Sequence, residues 1–207
     1  MPRLTDATKA ARRAQIIEAA ISCFLEKGYT NTSMSDIIKA SGLSSGSIYS
    51  HFSGKEDILI TAINERLNNV KELYETLPEG AGPQDILETI HTNQLVNDNF
   101  SAMLRIRAKS LHAPEIARAT ADTMPLLQGI IVKTLTPWAA EQLSVLHEIN
   151  PNSAQRTPEQ EALIADYARD TADAFMMVFQ GYMLRSFFGT PKEKDRLYRV
   201  ASALLPE

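Results

Sequence analysis

The stretch from Ser33 to Asp57 leaves this chain little freedom in what it can fold into. Ser33, followed three residues later by Asp36, has the spacing of a capping box, in which a hydroxyl and an acid satisfy the first free N–H groups of a helix. Met34, Ile37 and Ile38 give that helix one apolar face. Gly42 stops it, because the left-handed backbone that ends a helix is cheapest at glycine. Ser44 offers a second N-cap. Ile48 and Phe52, four residues apart, give the next helix a single anchored stripe. Its other faces carry Ser45, Ser47, Tyr49, Ser50 and His51, short or amphipathic side chains that can all hydrogen-bond. A helix held by so few apolar residues lies with most of its surface exposed. Two short helices joined by a tight turn are a device for placing the second in the DNA major groove. An ordinary helical hairpin explains the apolar spacing and both caps, but not the short second helix or its hydroxyl-rich outer face.

Charge is distributed to suit that reading. The 207 residues carry a formal net charge of −4, yet residues 1–66 hold eight Lys/Arg against seven Asp/Glu. Arg3, Lys9, Arg12 and Arg13 outweigh Asp6 at the start of the chain. Positive charge therefore gathers on an N-terminal arm and the first helix, where phosphates can be met, and Arg3 and Arg13 are the candidates. No apolar run is long enough to span a bilayer, and the first residues lack the apolar stretch of a signal peptide. A cytoplasmic protein with no membrane partner is expected. Cys23, the single cysteine, sits beside Phe24 on the apolar side of the first helix and reads as a buried structural thiol. There is no Cys/His pattern for zinc, and His51 has no partner at ligand spacing. No HExxH, GxSxG, P-loop or GxGxxG pattern occurs, so neither an enzyme, a cofactor nor a metal is expected.

The remainder reads as helix after helix, an all-α chain. Helical spacing covers about 8–27 and about 55–77, the latter with Leu59, Ile63, Leu67, Val70 and Tyr74 on its inner stripe. Pro78 to Pro83 is the clearest breaker. Further helices are expected over about 84–97 and 101–112. Pro114 opens another, which Pro125 ends or kinks, and a long helix over about 126–149 bends near Pro137. Thr157 with Pro158 and Gln160, and Thr190 with Pro191 and Glu193, cap the last two helices. Between those caps, Ala174 to Phe188 is apolar on nearly all sides. One face can meet the subunit's own core and another a second subunit.

A series of short motifs then carries a resemblance. Ile16-Ile17-Glu18-Ala19-Ala20, Phe24, Gly28-Tyr29, Thr32-Ser33-Met34, Asp36-Ile37, Ala40-Ser41-Gly42-Leu43-Ser44, Gly46-Ser47-Ile48-Tyr49, His51-Phe52 and Lys55-Glu56-Asp57-Ile58-Leu59 stand in an order and spacing that resemble the DNA-binding domain of the TetR family of bacterial transcriptional regulators. The match runs from about Arg13 to Leu59; beyond it the chain resembles the family in length and helical pattern only. The resemblance implies a three-helix helix-turn-helix domain over 1–54 and a larger helical effector-binding and dimerisation domain over 55–207. It implies a homodimeric repressor that binds a double-stranded palindromic operator and is released by a small apolar or aromatic effector. The other reading is an architectural or cell-division DNA-binding protein on the same scaffold, marked by a core without a sizeable cavity.

The resemblance also assigns roles. Thr32 and Ser33 open a helix where N–H groups and hydroxyls suit phosphate. Ser44, Ser45, Gly46 and Ser47 form the first turn of the recognition helix, with Ser50 on its outer face and Gly46 allowing close backbone approach. Tyr49 and His51 resemble the family's aromatic phosphate contacts, and Lys55 its backbone clamp. Ser45 departs from the pattern, since Lys or Arg is frequent there. The bidentate group that reads guanine is thus missing from this helix, and specificity falls to hydroxyls, water, the arm or DNA shape. The effector lining implied is Tyr74, Phe100, Met103, Leu104, Met124, Leu127, Ile131, Trp138, Phe175, Met176 and Phe179, with Arg107 and Gln128 as polar contacts; methionines favour an adaptable pocket. The dimer interface implied is Tyr167, Ala174, Val178, Gly181, Tyr182 and Arg185 with Leu197, Val200 and Leu204.

Overall fold

A computed structural model describes residues 5–93, 98, 101–102, 104–105, 114–147, 149 and 155–207, with the backbone alone at 115–117, 119–120 and 146–147. The described residues form helices α1 (Asp6–Lys27), α2 (Met34–Ser41), α3 (Ser45–Tyr49), α4 (Lys55–Glu75), α5 (Pro83–Thr92), α6 (Pro114–His147), α7 (Pro158–Phe188) and α8 (Pro191–Ser202). No strand occurs among them. The expected residues 94–97 and most of 101–112 lie outside the described set, where 101–102 and 104–105 are helical. Pro125 and Pro137 both fall inside α6, so one helix stands where two were expected. Both prolines are exposed, which leaves the carbonyls they cannot serve on the wet side of the helix.

The chain divides into two compact units, Met1–Asn68 with Ser101–Thr123, and Asn69–Phe100 with Met124–Glu207. In the first unit, α1 presents Ile16, Ile17, Ala20, Ile21 and Phe24 on one face, at helical spacing. Against it lie Ile37 of α2, Ile48 of α3, Phe52, and Ile58, Leu59, Ala62 and Ile63 of α4. The start of α4 is therefore a wall of this core, and the division of the chain falls within α4 rather than in front of it. Each isoleucine, leucine or phenylalanine among them taken wholly out of water contributes roughly 1.5–3 kcal/mol.

The second unit has its own core. Ile86, Leu87 and Ile90 of α5, Ile131, Leu135 and Trp138 of α6, and Ile164, Ala172 and Phe175 of α7 are buried together. The Trp138 and Tyr167 rings stack at 5.7 Å. Gly82, just before α5, is required here: a Cβ would stand 2.9 Å from the Trp138 ring nitrogen. Both expected late caps form, with Thr157 and Gln160, and Thr190 and Glu193, as reciprocal capping boxes. His91 of α5 bonds the Tyr182 hydroxyl of α7 through Nδ1 at 2.7 Å and stacks on Tyr198 of α8 at 4.2 Å.

Candidate nucleic-acid interface

The helix pair is built by its caps. Ser33 Oγ accepts the Asp36 N–H at 3.1 Å, and Asp36 Oδ2 accepts the Ser33 N–H at 2.9 Å. Lys27 of α1 donates to Asp36 Oδ1, tying α1 to the start of α2. The Lys27 hydrogen bond first, then those from Ser33, hold the Asp36 carboxyl far below the usual carboxylate range. A carboxylate so shifted stabilises the fold fully above its unfolded value of about 4, and the contribution fades as pH falls below that. Gly42 closes α2 with φ of 67°, in the left-handed region where a side chain is strained. Ser44 then accepts the Ser47 N–H at 3.2 Å and starts α3.

Ile48 and Phe52 are essentially without solvent contact and pin α3 to the core. Everything else on that helix faces outward. Ser44, Ser45, Gly46, Tyr49 and Ser50 are exposed, and Ser47 and His51 half-buried. The Ser45 and Ser47 hydroxyls have no hydrogen-bond partner among the described residues, whereas Ser50 turns its proton back onto the Ser47 carbonyl at 2.7 Å. The helix thus shows hydroxyls, one aromatic ring and bare backbone, a surface that reads bases only through adaptable hydrogen bonds.

Three of the expected phosphate contacts have partners within their own unit. Thr32 is buried, and its hydroxyl donates inward to the carbonyls of Gly28 at 2.8 Å and Cys23 at 3.2 Å, so it shapes the turn. Arg13 lays its guanidinium 4.5 Å over the Phe52 ring, donates to Thr61 at 3.1 Å and lies 3.9 Å from Glu65. Lys55 donates to the carbonyls of Tyr29 and Thr32, each at 3.0 Å, and of Thr30 at 3.4 Å. Both cations are engaged within the unit. Ser33 is exposed with its proton on Asp36 at 2.7 Å, and Arg3 lies outside the described residues.

Gly46 separates fold from contact. A Cβ built there meets nothing within 4 Å, and its backbone is not in the left-handed region. Gly46→Ala is therefore expected to leave the melting temperature unchanged or raised, because Ala is favoured over Gly in a helix by up to about 1 kcal/mol. If the backbone approaches DNA at this turn, the same change lowers affinity by about tenfold or more. Parallel thermal melts and DNA titrations check it; full affinity in the Ala protein removes the close approach.

The second unit holds most of the other candidates. Tyr74, Ile131, Trp138 and Phe175 are core residues, and Leu127, Met176 and Phe179 pack against them half-buried. Gln128 donates to Asp173, and Met124 is exposed. Leu104 is half-buried in the first unit, and Phe100, Met103 and Arg107 lie outside the described residues. A cleft of about 200 Å³ opens beside Tyr74, lined also by Leu77, Pro78, Ile130, Pro137, Lys71 and Lys133. It shares only Tyr74 with the expected lining. Spacing could not reveal it, since the breaker at 78–80 forms one wall.

On α7 and α8 the interface candidates divide. Gly181, Arg185, Val200 and Leu204 are exposed, and Ala174, Val178 and Leu197 half-buried. Tyr167 is occupied by Trp138. Tyr182 is a correction: it is buried and bonded to His91, so it faces its own subunit. Three apolar residues were missed, Met177, Leu184 and Phe188, exposed by 70%, 47% and 79%. With Gly181 they follow each other at intervals of four, three and four, one stripe of a helix. Their signal was the all-round apolar run 174–188, whose surplus apolar face is theirs.

Known proteins bear on this geometry. Residues 16–62 match the family model for bacterial regulatory proteins of the tetR family. Over 133 residues the chain is 29% identical to the fatty acid metabolism regulator protein of Bacillus subtilis (strain 168), covering 60% of this chain and 69% of that protein. Over 114 residues it is 32% identical to the HTH-type transcriptional regulator BetI of Stenotrophomonas maltophilia (strain R551-3), covering 52% of this chain and 58% of that one, less than two thirds of its length. The solved structure of Salmonella enterica GusR shares the fold at a TM-score of 0.61, with 21% identity over 99% of both chains. The helix pair lies inside the matched stretch, so residues 16–62 carry the DNA-binding domain of the tetR family of bacterial regulatory proteins, and the relatives that the chain matches are transcriptional regulators, not enzymes.

Proposed function

We propose that this regulator is a cytoplasmic homodimeric repressor that grips a palindromic operator with two copies of α3 and lets go when a small apolar or aromatic molecule binds its second unit. The observation that carries the DNA half is α3 itself: a helix anchored by Ile48 and Phe52 alone, with Ser44, Ser45, Gly46 and Tyr49 turned to solvent. A two-fold dimer sets two such helices about one DNA turn or a multiple apart, which is what a palindrome requires. The exposed stripe Met177, Gly181, Leu184 and Phe188 supports α7 as the surface that brings two copies together. The cleft beside Tyr74 supports the effector half, being apolar on most of its wall, with Lys71 and Lys133 balanced by Glu75 and Glu79. A ligand that prefers one spacing of the two recognition helices needs a coupling of only about 1–3 kcal/mol to act as a useful signal. Among the described residues no helix is long and apolar enough to cross a membrane.

The test is a mobility shift with the DNA flanking the chain's own gene, at low salt. Retardation of one fragment at nanomolar protein, competed by itself and not by unrelated DNA, is expected. No retarded fragment overturns the proposal.

A further inference from the structure

We propose that the cleft beside Tyr74 binds a small uncharged molecule, an apolar or aromatic body carrying one oxygen, and that the Tyr74 hydroxyl donates a hydrogen bond to that oxygen. The proposal rests on the reading of the second unit as the effector-binding part, and it names the chemistry that part selects. All the residues concerned lie in the second unit.

Tyr74 is 6% exposed and packs into the core of that unit. A phenol buried to this degree ordinarily has a partner for its hydroxyl. This one has none among the described residues. Its oxygen is not sealed inside the core, so it is reached from outside, and the opening that Tyr74 lines is the cleft. Burial pushes the phenol above its ordinary value, so the hydroxyl keeps its proton at neutral pH and remains a donor.

The other polar groups of the wall are engaged or face water. Thr134 gives its proton to the Ile130 carbonyl at 3.0 Å. Lys71 lies 3.8 Å from Glu75, one turn on. Glu79 and Lys133 are both exposed, one of each sign. Two lysines and two glutamates cancel, so the rim favours neither an anion nor a cation. What remains to discriminate between ligands is one buried donor on an apolar wall of Leu77, Ile130 and Pro137. A volume of about 200 Å³ lies below the roughly 300–1,000 Å³ of pockets for drug-sized ligands, which limits the body to a small one. The cleft also has a reporter beside it. Pro137 of the lining adjoins Trp138, the single tryptophan. The wall residues Pro78 to Gly80 lead to Gly82, where a Cβ would stand 2.9 Å from the Trp138 ring nitrogen.

Benzyl alcohol, ethylbenzene and benzoate test the assignment on the full-length protein, by titration calorimetry with Trp138 fluorescence alongside. Benzyl alcohol carries a ring and an oxygen, ethylbenzene has nearly the same shape without the oxygen, and benzoate carries a charge. Saturable binding of benzyl alcohol is expected, with benzoate at least tenfold weaker. Tyr74→Phe is expected to weaken benzyl alcohol about two- to tenfold, the worth of one neutral hydrogen bond, and to leave ethylbenzene unchanged. Its melting temperature is expected to stay level or rise, because the hydroxyl removed has no partner in the fold. No binding of benzyl alcohol, undiminished binding in Tyr74→Phe, an equal loss for both neutral probes, or benzoate bound as tightly as benzyl alcohol overturns the proposal. The effector reading fails by a different result: benzyl alcohol held through Tyr74 at saturation, with the operator complex undisturbed, keeps the binding site and removes its regulatory role. An aromatic molecule that releases the operator equally from Tyr74→Phe and from the unsubstituted protein keeps the regulation and overturns its assignment to Tyr74.

Discussion

Replacing Phe52 by Ala is expected to destabilise the N-terminal unit by about 3–5 kcal/mol, the usual loss for a buried phenylalanine. Phe52 is 1% exposed, and it does two things at once. Its ring fills the floor between Ile48 and the start of α4, and its face carries the Arg13 guanidinium at 4.5 Å. Truncation leaves a cavity and strands that guanidinium over empty space. Domains have only about 5–15 kcal/mol of stability in all, so a loss on this scale removes much of the margin of the helix pair. Phe52→Leu keeps most of the volume and is expected to lose less than about 1.5 kcal/mol.

The readout can be confined to the right unit. Trp138, the single tryptophan, lies in the second unit, so its fluorescence reports that core. Circular dichroism counts the helices of both. In Phe52→Ala, helix signal is expected to fall at low denaturant while Trp138 fluorescence keeps its own midpoint, with operator binding abolished at moderate temperature. A total loss below about 1 kcal/mol would mean that the site collapses around the gap, and that the recognition helix is anchored elsewhere than at Phe52.

The parts of this protein that sequence made legible are those fixed by local chemistry. The Ser33–Asp36 box, the left-handed Gly42 and the Ser44 cap depend on residues within a few positions of one another, and each forms as its spacing requires. So do the late caps at Thr157 and Thr190. What spacing missed was partnership across the fold. Thr32 looked like a hydroxyl beside DNA and is bonded to Cys23 and Gly28. Arg13 and Lys55 stand in the sequence as candidate phosphate contacts, and each also holds an acceptor more than twenty residues away in the chain. Tyr182 fell in an apolar run with no sign of which face met which neighbour, and its bond to His91 spans 91 residues. The prolines of α6 misled for another reason: helix breaking is an average tendency, and an exposed proline on a long packed helix can be absorbed.

In the proposed dimer, charge placed on the outer stripe of α7 is expected to part the two copies into monomers. Met177, Leu184 and Phe188 are among the most exposed large apolar residues of the second unit, and Val200 and Leu204 of α8 are exposed too. Such a surface on one chain is unfavourable in water and is the mark of an interface. Gly181 sits within the stripe, and a Cβ there meets nothing within 4 Å, so its own subunit does not cover this point of the stripe. In a two-fold dimer every substitution counts twice. If Phe188→Asp removes about 2 kcal/mol per copy, as truncation of a central aromatic does, the dimer weakens by about 4 kcal/mol, roughly a thousandfold. Leu184→Asp is expected to act in the same direction. Because these side chains are already exposed in the single subunit, its own core has nothing to lose, and any fall in melting temperature should track protein concentration. Light scattering of Phe188→Asp at micromolar concentration is expected to give the monomer mass. Affinity for the palindrome is expected to drop at least a hundredfold, while binding to a single half-site stays as weak as before. A Phe188→Asp, Leu184→Asp double variant that still scatters as a dimer would move the interface off this stripe, and one that is monomeric yet binds the palindrome undiminished would detach dimerisation from DNA binding.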